Sequence, residues 1–363
     1  MTGNVNYGLI GCGMMGQEHL RNIALIPGAR TSVVYDPVSM LAEAASETAG
    51  GARIASSIAD LLSSDGLDAL VVASPNHLHV AQLREIAETR PVPLLMEKPL
   101  LTDEADQDEV RRIASRYRAP IWVAMEYRYM PPVAALIAEA EAATGGIQML
   151  TIREHRFPFL PKVDNWNRFN ANSGGTFVEK CCHFFDLMRL ILQAEPTRVM
   201  ASAGQAVNHL DERYDGQTPD IWDHGFVLVD FDSGARAMLD LCMFAEGSRY
   251  QEEIGAVGAV GKIEAQVPGP LRFWSDAAGP PPVPRVITSP RSPTGPVVRD
   301  VPVDPTLLTA GDHNGSTYYQ HVRFNAVVRG EAEVEVTIED GLRAVMMGKA
   351  AQRSAATGEA VAM

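Results

Sequence analysis

Met96-Glu97-Lys98-Pro99 closes a short apolar run, Pro93 to Met96, that reads as a buried strand. A lysine at the carboxyl end of such a strand sits where open α/β sheets bind their ligands. Further along, Phe177 to Leu192 has the period of a helix, with Phe177, Cys181, Phe184, Met188 and Ile191 on one apolar stripe and Glu179, His183 and Asp186 on the other side. The polar wedge is narrow, flanked by Cys182, Leu187 and Leu190, so the three groups are expected to face a partly buried cleft. Burial beside charge is what tunes a histidine or carboxylate for proton transfer. The plainer alternative is a surface helix with an i,i+4 Glu–His pair. A metal shared by Glu179 and His183 would need further ligands, and no cluster supplies them.

The elements that must position these groups begin with Val5–Ile10, a strand that runs into Gly11-Cys12-Gly13-Met14-Met15-Gly16 and then a helix to about Ile26. This is the glycine spacing of a dinucleotide-binding βαβ unit: Gly11 for the tight turn, Gly13 for approach of the pyrophosphate, Gly16 for close helix–strand packing. The helix amino terminus then faces the phosphates. The next strand, Thr31 to Tyr35, ends at Asp36, 20 residues beyond Gly16, the spacing at which an acidic residue takes the ribose hydroxyls. Asp36 could instead start the helix entered through Pro37. Apolar and helical stretches then alternate: Ala69–Ala73, Val80–Glu88, Leu94–Met96, Thr102–Tyr117 and Ile121–Ala124, which argues for a parallel, doubly wound sheet. Ser74-Pro75-Asn76-His77-Leu78-His79 ends one of these strands, and Ser74, Asn76 and His79 are expected to contact cofactor or open the next helix, as are Glu97 and Lys98 at theirs.

Beyond Ala124 the texture changes. Strand-like stretches Gln148–Arg153, Val199–Ala203, Phe226–Phe231 and Arg236–Leu241 follow with little helix between them, which predicts a second domain, 125–363, built on a largely antiparallel sheet. Pro268 to Pro305 holds 11 of the 24 prolines and reads as a surface insertion. Ser316 to Arg329 reads as a helix stopped by Gly330. The Ser173-Gly174-Gly175 turn lets the backbone approach a ligand or the other domain.

Length and charge narrow the function. At 363 residues the chain suits two domains, and its formal net charge of −14 opposes nucleic-acid or anionic-membrane surfaces. A small-molecule partner is expected. Cys12, Cys181, Cys182 and Cys242 lack both zinc spacing and a disulfide pattern. With no apolar run of about 18 residues, and Met1 to Tyr7 unlike a signal peptide, a cytoplasmic protein is expected.

Taken together, Gly11-x-Gly13-x-x-Gly16, Glu97-Lys98-Pro99, and Gly174-Gly175 followed by Glu179, His183 and Asp186 resemble the Gfo/Idh/MocA family, the glucose-fructose oxidoreductase and inositol dehydrogenase group. The likeness runs from Val5 to the helix at Glu339-Asp340-Gly341. It implies a Rossmann domain over 1–124 and a carboxyl-terminal α/β domain whose open sheet mediates oligomerisation as a dimer or tetramer. It also implies catalytic roles for Lys98, His183 and Glu179. Glu179 stands where aspartate is usual, and Lys180-Cys181-Cys182 replaces a stretch that usually contains a glycine.

The expected activity is NAD-dependent oxidation of a secondary hydroxyl of a cyclic polyol or sugar. Asp36 favours NAD, and Glu126, Tyr127, Arg156, Asp164, Trp166, His183 and His313 are the candidate substrate contacts. No metal is expected. The alternative is a glycosidase that oxidises a sugar carbon only transiently, which would use the same Lys98 and cofactor loop.

Overall fold

The computed structural model describes residues 4–292 and 294–363. Met1–Gly3 of the amino-terminal reading and Pro293 of the proline-rich stretch lie outside the described residues.

Six parallel strands form the first sheet: β1 (Val5–Ile10), β2 (Ala29–Tyr35), β3 (Arg53–Ile54), β4 (Ala69–Val72), β5 (Leu94–Met96) and β6 (Ile121–Val123), in the order β3-β2-β1-β4-β5-β6. The central strands are near-continuous apolar runs because helices cover both faces. The order reverses between β1 and β4, and there the Gly11 and Ser74 loops leave the same end of the sheet. Lys98 follows β5, whose Met96 is level with Val72 of β4 and Val123 of β6, so it emerges at that same end.

The second sheet has nine strands: β7 (Ile147–His155), β8 (Pro196–Gly204), β9 (His224–Phe231), β10 (Arg236–Cys242), β11 (Glu252–Gly258), β12 (Gly261–Val267), β13 (Arg285–Pro290), β14 (Val297–Asp300) and β15 (Val361–Ala362). Their order is β14-β13-β12-β11-β7-β10-β9-β8-β15. All pairs are antiparallel except β7 with β10. Alternation sets the faces: in β9, Gly225, Val227, Val229 and Phe231 point inward while Phe226 and Leu228 are exposed. The proline-rich stretch is more than an insertion, because β13 and β14 extend this sheet at its edge, where proline's missing N–H is tolerated.

The carboxyl-terminal helices return to the first sheet. Helix Ser316–Val328 packs on helix Met14–Ala24, with Phe324 edge-on to Trp122 and Asn325 accepting from the Tyr7 hydroxyl at 3.2 Å. Helix Ile338–Thr357 lies against β6 and β8, and its start is fixed by a Thr337–Asp340 capping box. One continuous core therefore joins the two sheets.

Candidate active site

The glycine-rich loop has the geometry that its residue types require. Gly11 has φ +88°, and a Cβ there would lie 2.5 Å from the Ser74 nitrogen; a Cβ on Gly16 would overlap the Gly11 carbonyl. Nothing lies within 4 Å of a Cβ built on Gly13, which leaves that face open to a ligand. Gly13 caps helix Met14–Ala24 without a side-chain bond, so the first N–H groups remain available to an anion. Asp36 stands over this loop: its Oδ2 accepts from the Cys12 nitrogen at 2.8 Å and its Oδ1 from the Val38 nitrogen at 2.9 Å. The helix after it begins only at Ser39, so Asp36 is not its cap. A carboxylate has acceptor sites beyond these two, and a ribose diol fits them. These residues fit a nicotinamide dinucleotide.

Lys98 and His183 line one cleft between the sheets, with Met14 and Met15 of the glycine-rich loop, Glu126 and Tyr127 after β6, and His313 from the carboxyl-terminal segment. The helix expected over Phe177–Leu192 is broken into Thr176–Glu179 and Cys182–Leu192. The break frees the Glu179 carbonyl, which accepts from Lys98 Nζ at 3.0 Å. The Glu179 carboxylate accepts from Asn76 and, at 3.3 Å, from Lys162 Nζ. Burial works against its charge, but Lys162, Lys98 and the Asn76 bond prevail and hold it at about 2. Burial likewise disfavours a charged Lys98, yet Glu179 above all raises its pKa.

His183 lies flat on the Tyr127 ring, with centroids 4.0 Å apart and planes 5° apart. Its Nδ1 is buried and has no hydrogen-bond partner among the described residues. Burial first, then the positive charge of Lys98 and Lys180, pushes its pKa well below the ordinary imidazole value. A neutral ring is a proton acceptor. On the facing wall, His313 Nδ1 is 2.8 Å from Glu18 Oε1 and 3.4 Å from Glu126 Oε1. Burial opposes a charged His313, but the two carboxylates raise it to about 9.

The remaining expected site residues are placed as follows. Arg156 lines the cleft with its guanidinium 4.2 Å over the Phe157 ring. Asp164 is exposed, in a left-handed backbone conformation (φ 52°), and Trp166 is buried behind Lys162, whose Nζ is 4.5 Å from its ring. Neither lines the cleft. Asp186 also turns away, pairing with buried Arg128. His79 is fully buried, with its two nitrogens 2.8 and 3.0 Å from the Pro99 and Ser74 carbonyl oxygens, so it shapes both loops without facing a cofactor. Glu97 is buried against His19 at 3.0 Å, and the Ser74 hydroxyl is held by Gln82. The sequence reading missed Lys162, Lys180, Glu18 and Glu252, all of which line the cleft. Their spacing carries no signal, since each arrives on a different element.

A doubly wound sheet with an open glycine-rich loop, joined to a second sheet across a cleft holding lysine and histidine, defines a nicotinamide-dependent oxidoreductase. Residues 5–125 match the NAD-binding Rossmann fold of the GFO_IDH_MocA oxidoreductase family, and residues 144–363 match the C-terminal alpha/beta domain of that family. The chain belongs to the Gfo/Idh/MocA oxidoreductase family. It is 26% identical over 357 residues to an inositol 2-dehydrogenase of Rhizobium meliloti, covering 97% of each chain. Among solved structures, a myo-inositol dehydrogenase from Corynebacterium glutamicum shares the fold with a TM-score of 0.75 at 22% identity, over 99% of each chain. GenD2 from gentamicin A biosynthesis, solved with NAD, does so with a TM-score of 0.78 at 21% identity, over 100% of this chain and 97% of that one. No helix among the described residues is long and apolar enough to cross a membrane.

Proposed function

We propose that the protein oxidises a secondary hydroxyl of a cyclic polyol or sugar, with His183 accepting the hydroxyl proton and Lys98 holding the same oxygen. The observation that carries this reading is the meeting of a neutral, buried imidazole and a charged, half-buried ammonium in a cleft whose rim includes the dinucleotide loop. NAD, when bound, supplies the hydride acceptor. His183 is poised as a base because its surroundings keep it unprotonated. Lys98 donates to the Glu179 carbonyl with one N–H, leaving others for an oxygen that gains negative charge. Glu179 is a positioning residue: it favours the charged form of Lys98, pairs with Lys162 and orients the turn that carries the carbonyl. The inositol dehydrogenases among the relatives support the polyol class.

A screen of polyols and sugars with NAD, read at the absorbance of NADH, tests this. Net NADH is the expected result; sugar cleavage without it would favour transient oxidation by a glycosidase instead.

NAD should be preferred to NADP, because the Asp36 carboxylate would meet a 2′-phosphate as like charge while Pro37 offers that phosphate no donor. Specificity constants for both cofactors measure the preference, and Asp36→Ser should narrow the gap. Equal use of NADP by the unaltered protein would remove Asp36 from the role.

The protein should also be a homo-oligomer. Helices cover one face of the second sheet, but the other leaves Phe226 56% and Leu228 47% exposed on β9, with Met238 beside Leu228 on β10, and Met149 57% exposed on β7 beside exposed Val257 on β11. Light scattering at micromolar concentration should give a multiple of 39.3 kDa, and Phe226→Glu with Leu228→Glu should return it to one chain. A monomer before mutation would overturn this.

A further inference from the structure

Two buried carboxylates lie side by side behind the cleft, one of them, Glu252, lining it, and the mechanism above uses neither. Glu154 of β7 and Glu252 of β11 are direct partners in the antiparallel register, both inward-facing, 0% and 1% exposed. Like charges directly opposite on adjacent strands destabilise a sheet, and an unpaired buried carboxylate costs more. Glu154 does not line the cleft, and its charge is compensated: Lys180 Nζ is 2.8 Å from its Oε1 and Arg156 Nη1 is 3.8 Å from the same atom, although neither of its oxygens accepts a well-formed hydrogen bond among the described residues. Lys180 also bonds the Tyr127 hydroxyl, the ring of which carries His183. Glu252 has no such partner. Its Oε1 accepts from Gln251 Nε2 at 2.6 Å, while its Oε2 is buried and accepts no hydrogen bond among the described residues. Glu252 lines the cleft together with Gln251, Lys180, Tyr127 and His183.

We infer that Glu252 is a specificity-determining residue, its free carboxylate oxygen accepting a hydrogen bond from a second hydroxyl of the substrate whose first hydroxyl meets Lys98 and His183. The inference rests on the dehydrogenase reading above. A buried acceptor without a donor in the wall of a ligand cleft is satisfied once the ligand brings a donor, and a substrate without that hydroxyl leaves it unsatisfied. The groups facing Glu252 are Glu154, Lys180, Arg156, Tyr127 and Gln251. Burial and then Glu154 push its pKa up to about 7, against the pull of Lys180 and Arg156. A hydroxyl donor binds the ionised form more tightly, so substrate binding should release a proton near neutrality, and affinity should rise with pH through that range.

The test uses myo-inositol, scyllo-inositol, D-glucose and D-galactose as probes. Calorimetry of the NADH-loaded protein at pH 7, in two buffers of different ionisation enthalpy, should show about half a proton released per site. Glu252→Gln should abolish that release. It should raise KM by about tenfold or more, the effect of losing one hydrogen bond to a charged group, while kcat falls far less. Glu252→Leu should raise KM further. KM should fall from pH 6 to pH 8 in the unaltered protein and stay flat in Glu252→Gln. NADH formation with proton release and KM untouched by Glu252→Gln overturns this inference and leaves the proposed function standing. Absence of NADH from every probe overturns the proposed function, and the calorimetry then decides the inference: no binding, or release unchanged in the variant, sinks it.

Discussion

His183→Ala should lower turnover by roughly 10²- to 10⁴-fold, the usual loss for a general acid–base group, with NAD binding little changed. The selectivity of the effect follows from where the residue stands. His183 lies on the second-sheet side of the cleft against Tyr127, whereas the cofactor loop is built from Gly11, Gly13 and Gly16 on the other. Lys98→Met should cost a similar factor, because the methionine keeps the buried stem but cannot donate to an oxygen that gains charge. The double mutant should lose far less than the product of the two, since groups that act on one oxygen are not additive. The kcat profile supplies a second reading. With its pKa well below the ordinary 6.5, His183 stays a competent base as pH falls through that value, so kcat should hold nearly level where a solvent-exposed imidazole would already be protonated. Turnover kept within about threefold in His183→Ala would return the histidine to a packing role.

Much of this site could be read from the chain because its parts are local. Gly11 and Asp36 follow their strands directly and Lys98 comes two residues after its strand, so spacing alone fixes which end of the sheet they occupy. His183 was legible from helical period, but its relation to Glu179 was not. Helical period puts both on one turn of a continuous helix, whereas the chain breaks at Lys180–Cys181 with neither glycine nor proline to mark it. Long-range charge pairing was the other blind spot. Glu154 and Glu252 meet because β7 and β11 are adjacent although almost 100 residues apart, and Glu18 meets His313 across the two ends of the chain. Periodicity sees only that such residues interrupt or continue an apolar pattern. Asp164 and Trp166 show the converse: a plausible loop next to the site, turned aside by a left-handed backbone at Asp164 and Asn165.

Asp186 gives the second large expectation, this time on stability. It lies one turn beyond His183 and was grouped with it by period, yet both its oxygens are taken by the Arg128 guanidinium, which also donates to the Glu335 carbonyl at 3.0 Å. Arg128 follows Tyr127 directly, so this buried pair ties the segment under the His183 ring to the helix that bears His183. Removing one partner leaves the other charge buried, and Arg128→Met should cost about 3–5 kcal/mol, read as the shift in urea midpoint. Replacing both, with Arg128→Met and Asp186→Leu, should recover much of that loss, because no charge is then left without a partner. The pH dependence has a definite sign. Burial already raises the Asp186 carboxyl above its ordinary 3.8 in spite of Arg128, and without the arginine it rises further. A carboxyl raised in the folded state takes up its proton more readily there, so the stability it confers is present at low pH and lost as pH rises through the folded value. The gap between Arg128→Met and the unaltered protein should therefore be larger at pH 8 than at pH 5. A gap that widened on acidification would mean that Asp186 is not the group left uncompensated. Turnover in Arg128→Met, measured where the variant remains folded, should fall only modestly, since the pair aligns Tyr127 and His183 without touching the cleft.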